Sequence, residues 1–166
     1  MYRVKDFYNK KIYSIQGKKL GVIKDIYLDF HSGIILGFEV NSYSFSNKKN
    51  YLDISDVISI DDEVICNELK KGEGLKFSEI KDLEVTTKDG DIKGEVEDII
   101  IDKDSYRIKG IILGTGIVDR MLGGKEVILV QKCVLGDDFI VYLGESGVRV
   151  RNLPHNLNKD VYCKKA

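Results

Sequence analysis

The sequence predicts an all-β chain made of two tandem small β-barrels, each with about five or six short strands. Helical periodicity is almost absent from the 166 residues, whereas short β-branched runs separated by Gly, Asp, Asn and Ser recur throughout. The chain also matches itself when it is shifted by 73 residues, which indicates a repeated structural unit. Short strands in this number favour a closed barrel, because closure leaves few open strand edges.

The two halves of the chain share turn-forming, acidic and apolar residues at this one offset. Eight identities fall within a window of 21 residues, and the pairs are Gly17 and Gly90, Gly21 and Gly94, Asp25 and Asp98, Ile26 and Ile99, Asp29 and Asp102, Ser32 and Ser105, Ile35 and Ile108, Gly37 and Gly110. Chance similarity between two hydrophobic strand pairs does not explain so many residue types at a single offset. We therefore expect a first barrel domain at 1–74, a second at 75–145 and a C-terminal tail at 146–166.

Each half contains five predicted strands bounded by turn residues. In the first half the strands are expected near 11–15, 20–29, 34–41, 50–54 and 62–67. In the second half they are expected near 84–87, 93–102, 107–114, 125–130 and 138–143. The turns around Gly17 and Gly90 supply the positive φ that tight hairpins need.

Strict alternation of apolar residues fails at the same places in both halves. The shared apolar residues, spaced three and then two apart, are Ile23, Ile26 and Leu28 in the first half and Val96, Ile99 and Ile101 in the second. All of them face inward only if one extra residue is accommodated beside Asp25 and beside Asp98, which predicts β-bulges. A second bulge is expected near Gly37 and Gly110, where the missing side chain makes the irregularity easier. The two aspartates therefore have a predicted structural role.

Composition excludes several classes of protein. Lys and Arg number 26 against 27 Asp and Glu, giving a net charge of −1, and a nucleic-acid-binding domain usually has a clear basic excess. The charged N-terminus does not resemble a signal peptide, and no apolar run reaches the ~18 residues of a spanning helix. Three cysteines without a C-x-x-C spacing fit a reducing compartment. We expect a soluble, cytoplasmic protein.

Candidate chemistry is sparse. The repeated pairs Asp25-x-x-x-Asp29 and Asp98-x-x-x-Asp102 are compatible with acid–base work or a cation site, but Asp also favours bulges and turns. A nucleophilic pair would have to use His31, in a predicted turn, or His155, in the tail. We therefore predict no catalytic residues, no metal and no cofactor.

A family resemblance rests on the fixed spacings of the first half. The pattern is Gly17-x-x-x-Gly21-x-Ile23-x-Asp25-Ile26-x-Leu28-Asp29-x-x-x-Gly33-x-Ile35-x-Gly37-Phe38-x-Val40, followed by the run from Asp53 to Asp62. This pattern resembles the PRC-barrel family, and the second copy runs from Gly90 through Leu113 and then from Lys125 to Asp138. The second copy departs at Tyr106, where the first has Gly33, and in a longer loop at 114–124.

The resemblance implies a function through binding rather than catalysis. In the two understood branches, the H subunit of photosynthetic reaction centres and a ribosome-maturation factor, the barrel is an adaptor surface. We therefore expect a non-enzymatic protein-interaction or adaptor module that binds a protein partner or itself, without nucleic acid or a membrane span. The alternative is an accessory factor in ribosome assembly or RNA processing. An unrecognised hydrolase or metal enzyme is a third reading, favoured by no motif.

A possible interaction surface follows from apolar residues outside the predicted core pattern. Tyr27 and Ile100 lie between inward-facing positions and are expected to point outward. The loop at 114–124 adds four apolar residues, Ile117, Val118, Met121 and Leu122. Contiguous apolar patches are seldom left in water, so these six residues predict a contact between the two barrels or between two chains. The alternative for the loop is that it plugs the open end of the second barrel.

Overall fold

The computed structural model describes residues 1–43, 49–114, 125–145 and 147–150. The first repeat forms a six-stranded sheet in the order β5-β4-β3-β2-β7-β6. Its strands are β2 (Lys11–Ser14), β3 (Lys19–Asp29), β4 (Ile34–Ser42), β5 (Tyr51–Asp53), β6 (Val57–Ile60) and β7 (Val64–Cys66). Strands β2 and β7 are parallel, and the other neighbours are antiparallel.

The second repeat forms its sheet in the matching order, β12-β13-β8-β9-β10-β11, with β14 added beyond β11. Its strands are β8 (Glu84–Thr87), β9 (Ile92–Ile101), β10 (Ile108–Gly114), β11 (Lys125–Ile128), β12 (Cys133–Leu135), β13 (Phe139–Tyr142) and β14 (Val148–Val150). Its parallel pair, β8 and β13, is the counterpart of β2 and β7. The predicted all-β fold of two equivalent barrels is confirmed.

The remaining described elements are short. They are strand β1 (Tyr2–Arg3), helix α1 (Phe77–Ile80) and single 3₁₀ turns at Val4–Asp6, Ile54–Asp56 and Val130–Lys132. The ten predicted strands are all present, and β1, β6, β12 and β14 were not predicted. Strand β14 lies within the expected tail at 146–166 and pairs with β11, so the second sheet extends into that segment.

The predicted bulges are confirmed in both repeats. Between β3 and β4 the register jumps from Ile23 to Asp25, and between β9 and β10 it jumps from Val96 to Asp98. Each strand pair has one further register jump, which lies beside Gly37 in the first repeat and beside Gly110 in the second. These jumps keep the shared apolar residues inside the core, since all six (Ile23, Ile26, Leu28, Val96, Ile99, Ile101) are at most 1% exposed.

Close backbone approach explains the glycine at the second bulge. A Cβ on Gly37 would lie 2.2 Å from the carbonyl oxygen of Leu52 on β5, which no real side chain tolerates.

The turns that precede β4 and β10 each contain a residue with positive φ. The angle is 63° at Gly33 in the first repeat and 54° at Tyr106 in the second. The substitution at Tyr106 therefore keeps the turn and accepts a conformation that disfavours side chains.

The two repeats meet around a pseudo-two-fold relation. The N–H of Ile35 donates to the carbonyl of Tyr106 (3.0 Å), and the N–H of Ile108 donates to the carbonyl of Gly33 (2.8 Å). At the 73-residue offset Ile35 corresponds to Ile108 and Gly33 to Tyr106. The turn of each repeat thus binds the corresponding turn of the other repeat, as equivalent surfaces do in a symmetric dimer.

The N-terminal segment of each repeat also adds to the long strand of the other. Strand β1 pairs with β9, with Arg3 opposite Ile100, and Lys76 forms the equivalent bridge to Tyr27 on β3. Arg3 and Lys76 occupy corresponding positions in the two repeats. The two barrels therefore exchange short segments reciprocally across the sequence boundary between them.

Candidate interaction surfaces

Tyr27 is covered from within the chain. It is only 3% exposed, and its ring meets the Tyr51 ring edge-on at a centroid distance of 5.2 Å. The Lys76 ammonium lies 5.6 Å from the centre of the Tyr27 ring, and the next residue, Leu28, donates its N–H to the carbonyl of Leu75. The Tyr51 ring and the linker into the second repeat therefore shield this side chain from water together.

Ile100 occupies the corresponding place in the second repeat. It is half-buried and lies opposite Arg3 of β1. The other four residues of the expected surface, Ile117, Val118, Met121 and Leu122, lie outside the described residues. The structure thus brings each of the two described residues to an exchanged N-terminal segment, and the six-residue patch stays a prediction.

Asp98 anchors one exchanged segment. Its carboxylate accepts hydrogen bonds from the N–H groups of Ile99 (2.8 Å) and Val4 (3.0 Å) and from Nε of Arg3 (2.9 Å). Asp98 is only 4% exposed. Burial raises the pKa of Asp98, although the Arg3 charge and the hydrogen bonds act in the opposite direction. The bulge aspartate therefore also binds the N-terminus of the other repeat.

Asp25 holds the equivalent position with a weaker set of partners. It accepts from the N–H of Ile26 (2.7 Å) and, from the other repeat, the N–H of Ser78 (3.4 Å). Lys76 pairs with the buried Glu39 instead, at 2.9 Å. Burial alone would raise the pKa of Glu39, but the hydrogen bond and charge of Lys76 lower it. Both aspartates thus accept the N–H of the residue that follows them and one backbone N–H from the other repeat, but the second donor is shifted by one residue, because Val4 corresponds to Phe77 rather than Ser78. The ion pairs also lie at different places.

The second aspartate of each repeated pair caps a turn. Asp29 accepts from the N–H and hydroxyl of Ser32, and Asp102 accepts from the same groups of Ser105. These bonds lower the pKa of Asp29 and lower that of Asp102 to about 2. Bulge and turn roles account for all four carboxylates. Across the described ranges, the side chains form no group of three His, Cys, Asp or Glu that could hold a metal.

The described thiols are unsuited to nucleophilic work. Burial raises the pKa of Cys66 to about 11 and that of Cys133 to about 12, whereas the nucleophile is the thiolate. His31 is exposed in the turn between β3 and β4. His155 and Cys163 lie outside the described residues.

A lysine-rich cleft of about 950 Å³ lies at one end of the first barrel. The parallel pairing of β2 and β7 brings the turn after Ser14 beside the segment after Cys66. The cleft is lined by five lysines, together with Glu68, Tyr43 and smaller groups; the lysines are Lys18, Lys19, Lys49, Lys70 and Lys71. We call these five lysines the basic end. These lysines are dispersed along the sequence, and the parallel β2–β7 pairing brings the segment with Lys18 and Lys19 beside the segment with Lys70 and Lys71.

The corresponding end of the second barrel is acidic. Pairing of Thr87 with Tyr142 brings the β8–β9 turn beside the segment after β13. Exposed carboxylates there are Asp89, Asp91 and Glu145. The nearby cations are the exposed Lys88 and the half-buried Lys93, which lies 5.6 Å from the centre of the Tyr142 ring and pairs with Glu126 at 2.8 Å. We call the three carboxylates the acidic end. Two exposed apolar residues, Ile92 and Leu143, lie among them.

Comparison with known proteins gives a family for each repeat. The model of the PRC-barrel domain matches residues 1–73 and again residues 72–142. No curated protein matches the chain. Within the described residues, no helix is both long and apolar enough to cross a membrane.

Proposed function

The chain belongs to the PRC-barrel family, with one domain in each repeat, and on that premise we propose that it is a non-enzymatic protein-interaction module. It serves as an adaptor whose two barrels are held in one fixed relation and present different ends to a protein partner. It works in the cytoplasm without a cofactor. Fold alone does not assign an activity, so the proposal depends on what the side chains do.

The proposal rests on a contrast between the buried and the exposed reactive groups. The buried carboxylates and thiols serve the fold, whereas the charged side chains at the two barrel ends are exposed. The buried carboxylates of Asp25 and Asp98 are used by backbone N–H groups of the opposite repeat, and burial raises the pKa of both described thiols. By contrast, the two barrel ends carry exposed charges of opposite sign beside apolar side chains. Complementary charge guides protein association and selects partners.

An affinity capture from the native cell tests this function. The bait is the wild-type chain, and the matched bait is Lys18→Glu with Lys71→Glu, which reverses charge at the basic end. We expect one protein partner, or the chain itself, to be recovered by the wild type and lost by the variant. Enrichment of small-subunit ribosomal proteins would instead support the role in ribosome assembly. Equal recovery of background proteins by both baits would contradict the adaptor role.

A further inference from the structure

The charged ends lie at the far ends of the two long strands. Strand β3 runs from the turn beside Lys18 to the turn at Gly33, which contacts the second repeat. Its 11 residues correspond to about 35 Å of extended strand. Strand β9 runs in the same way from the turn beside Asp91 to the contact at Tyr106. The two repeats meet at the turns that contain Gly33 and Tyr106. Because the charged ends lie at the opposite ends of β3 and β9, the basic and acidic ends face away from each other.

The basic end combines fixed and exposed cations. Lys70 is held by Asp56 at 2.6 Å, and Lys49 lies 3.6 Å from Glu68. Lys19 lies 4.7 Å from the centre of the Tyr43 ring, which is 54% exposed. Lys18 and Lys71 are exposed beside them. An incoming surface would therefore meet positive charge around an aromatic side chain.

The acidic end has the same backbone frame. In the first repeat the Ser14 hydroxyl accepts the N–H groups of Gln16 and Lys18, and in the second the Thr87 hydroxyl accepts those of Asp89 and Asp91. The side chains that project from this shared turn differ in sign. Ile92, 67% exposed, and Leu143, 54% exposed, supply apolar surface at the acidic end.

We propose that the basic end of one chain binds the acidic end of a second copy, so that chains assemble head to tail. This inference rests on the proposed function and names the partner as the chain itself. Two ends of opposite charge on one molecule fit a heterologous contact, in which each chain uses both surfaces and the contact repeats from one chain to the next. Charge of the same sign prevents two basic ends, or two acidic ends, from pairing.

Such a contact is sensitive to salt. Exposed charges interact over a Debye length of about 30 Å at ~0.01 M ionic strength and only about 3 Å at ~1 M. We expect the weight-average mass of the wild-type chain to rise reversibly with concentration at the lower ionic strength. At the higher ionic strength the mass should fall to that of one chain. Sedimentation velocity measures both.

Complementation between two variants identifies the surfaces. One variant carries Lys18→Glu and Lys71→Glu, and the other carries Asp89→Lys and Asp91→Lys. Each variant alone is expected to remain a single chain. Their mixture brings one intact basic end to one intact acidic end, so it should associate although neither variant does so alone. The matched control, Lys81→Glu with Lys103→Glu, changes charge as much outside both ends and should assemble like the wild type.

Several results would overturn the head-to-tail contact. These are a wild-type chain that stays single at low ionic strength, a dimer that never grows, or a mixture of variants that does not associate. Near-ultraviolet circular dichroism establishes that each variant is folded, and Glu145→Lys provides a milder test of the acidic end. If the chain captures a different partner through the basic end but does not self-associate, this inference fails while the adaptor role stands.

Discussion

Arg3 and Asp98 form an ion pair between residues 95 positions apart, with Nε of Arg3 2.9 Å from Oδ2 of Asp98. The side chains are 13% and 6% exposed, respectively. The pair joins the first residues of one repeat to the bulge of the other. Removing one partner of a buried pair is costly because the other charge is left uncompensated.

Substituting the bulge aspartates should lower stability to different extents. Asp98→Ala leaves the Arg3 charge and two N–H groups without their acceptor, and we expect a loss of about 3 kcal/mol. Asp25→Ala removes an acceptor of backbone groups only, and we expect about 1–2 kcal/mol. Urea unfolding at pH 7 measures both, with the exposed Asp62→Ala as the control. Equal stability of Asp98→Ala and the wild type would contradict the anchoring role.

Turn capping by Asp102 should make stability depend on acid pH. The pKa of Asp102 is lowered from 3.8 to about 2 in the folded chain. Its contribution is therefore present above the unfolded value and is lost as pH falls from about 4 to about 2. We expect Asp102→Asn to be less stable than the wild type at pH 7, with the difference shrinking at pH 2. Thermal unfolding across this range measures it, and a difference that is constant with pH would refute the assignment.

The bulge glycines should differ in how they tolerate alanine. In Gly37→Ala the new Cβ meets the Leu52 carbonyl at 2.2 Å, whereas in Gly110→Ala it first meets a methyl group of Val127 at 2.6 Å. Overpacking typically costs about 1–3 kcal/mol, and we place Gly37→Ala at or above the top of that range. Adding Val127→Ala should recover part of the loss in Gly110→Ala, as measured by the unfolding midpoint. No recovery would show that the Ile128 carbonyl, 3.1 Å from the new Cβ, decides the cost.

The described cysteines should react slowly in the folded chain. With pKa values raised to about 11 for Cys66 and about 12 for Cys133, at most roughly one thiol in a thousand is ionised at pH 8. A disulfide reagent applied to the Cys163→Ser variant isolates these two thiols. We expect labelling to accelerate strongly in denaturant. Rapid labelling without denaturant would be inconsistent with the burial that raises their pKa values.

The sequence supported prediction of the barrels because apolar spacing and glycine positions are local signals. The jump from Ile23 to Ile26 indicates a bulge whatever surrounds it, and the same holds for Val96 and Ile99. Strand β1 was missed because two residues carry no periodicity, and its partner strand is about 100 residues away. Strands β6 and β12 were missed because each is short and exposes an apolar residue, Ile58 or Val134.

The candidate surfaces were less predictable because they depend on pairing between distant segments. Tyr27 and Ile100 stand at positions that would leave apolar groups outward in an isolated barrel, and nothing local shows that Lys76 and Arg3 reach them. The alignment of Val4 with Phe77 is the sequence signal that points to equivalent N-terminal segments. It does not show that those segments cross between barrels.

Reciprocal exchange also sets an order for folding during synthesis. Tyr2 pairs with Ile101, so the β1 segment has no partner strand until about 100 more residues have been made. At ~5–20 residues per second this delay is roughly 5–20 s. Contacts between such distant segments form late because loop closure must precede them. The nascent first barrel therefore spends that interval with the β1 segment unpaired, and completion of the second barrel locks both repeats together in one late step.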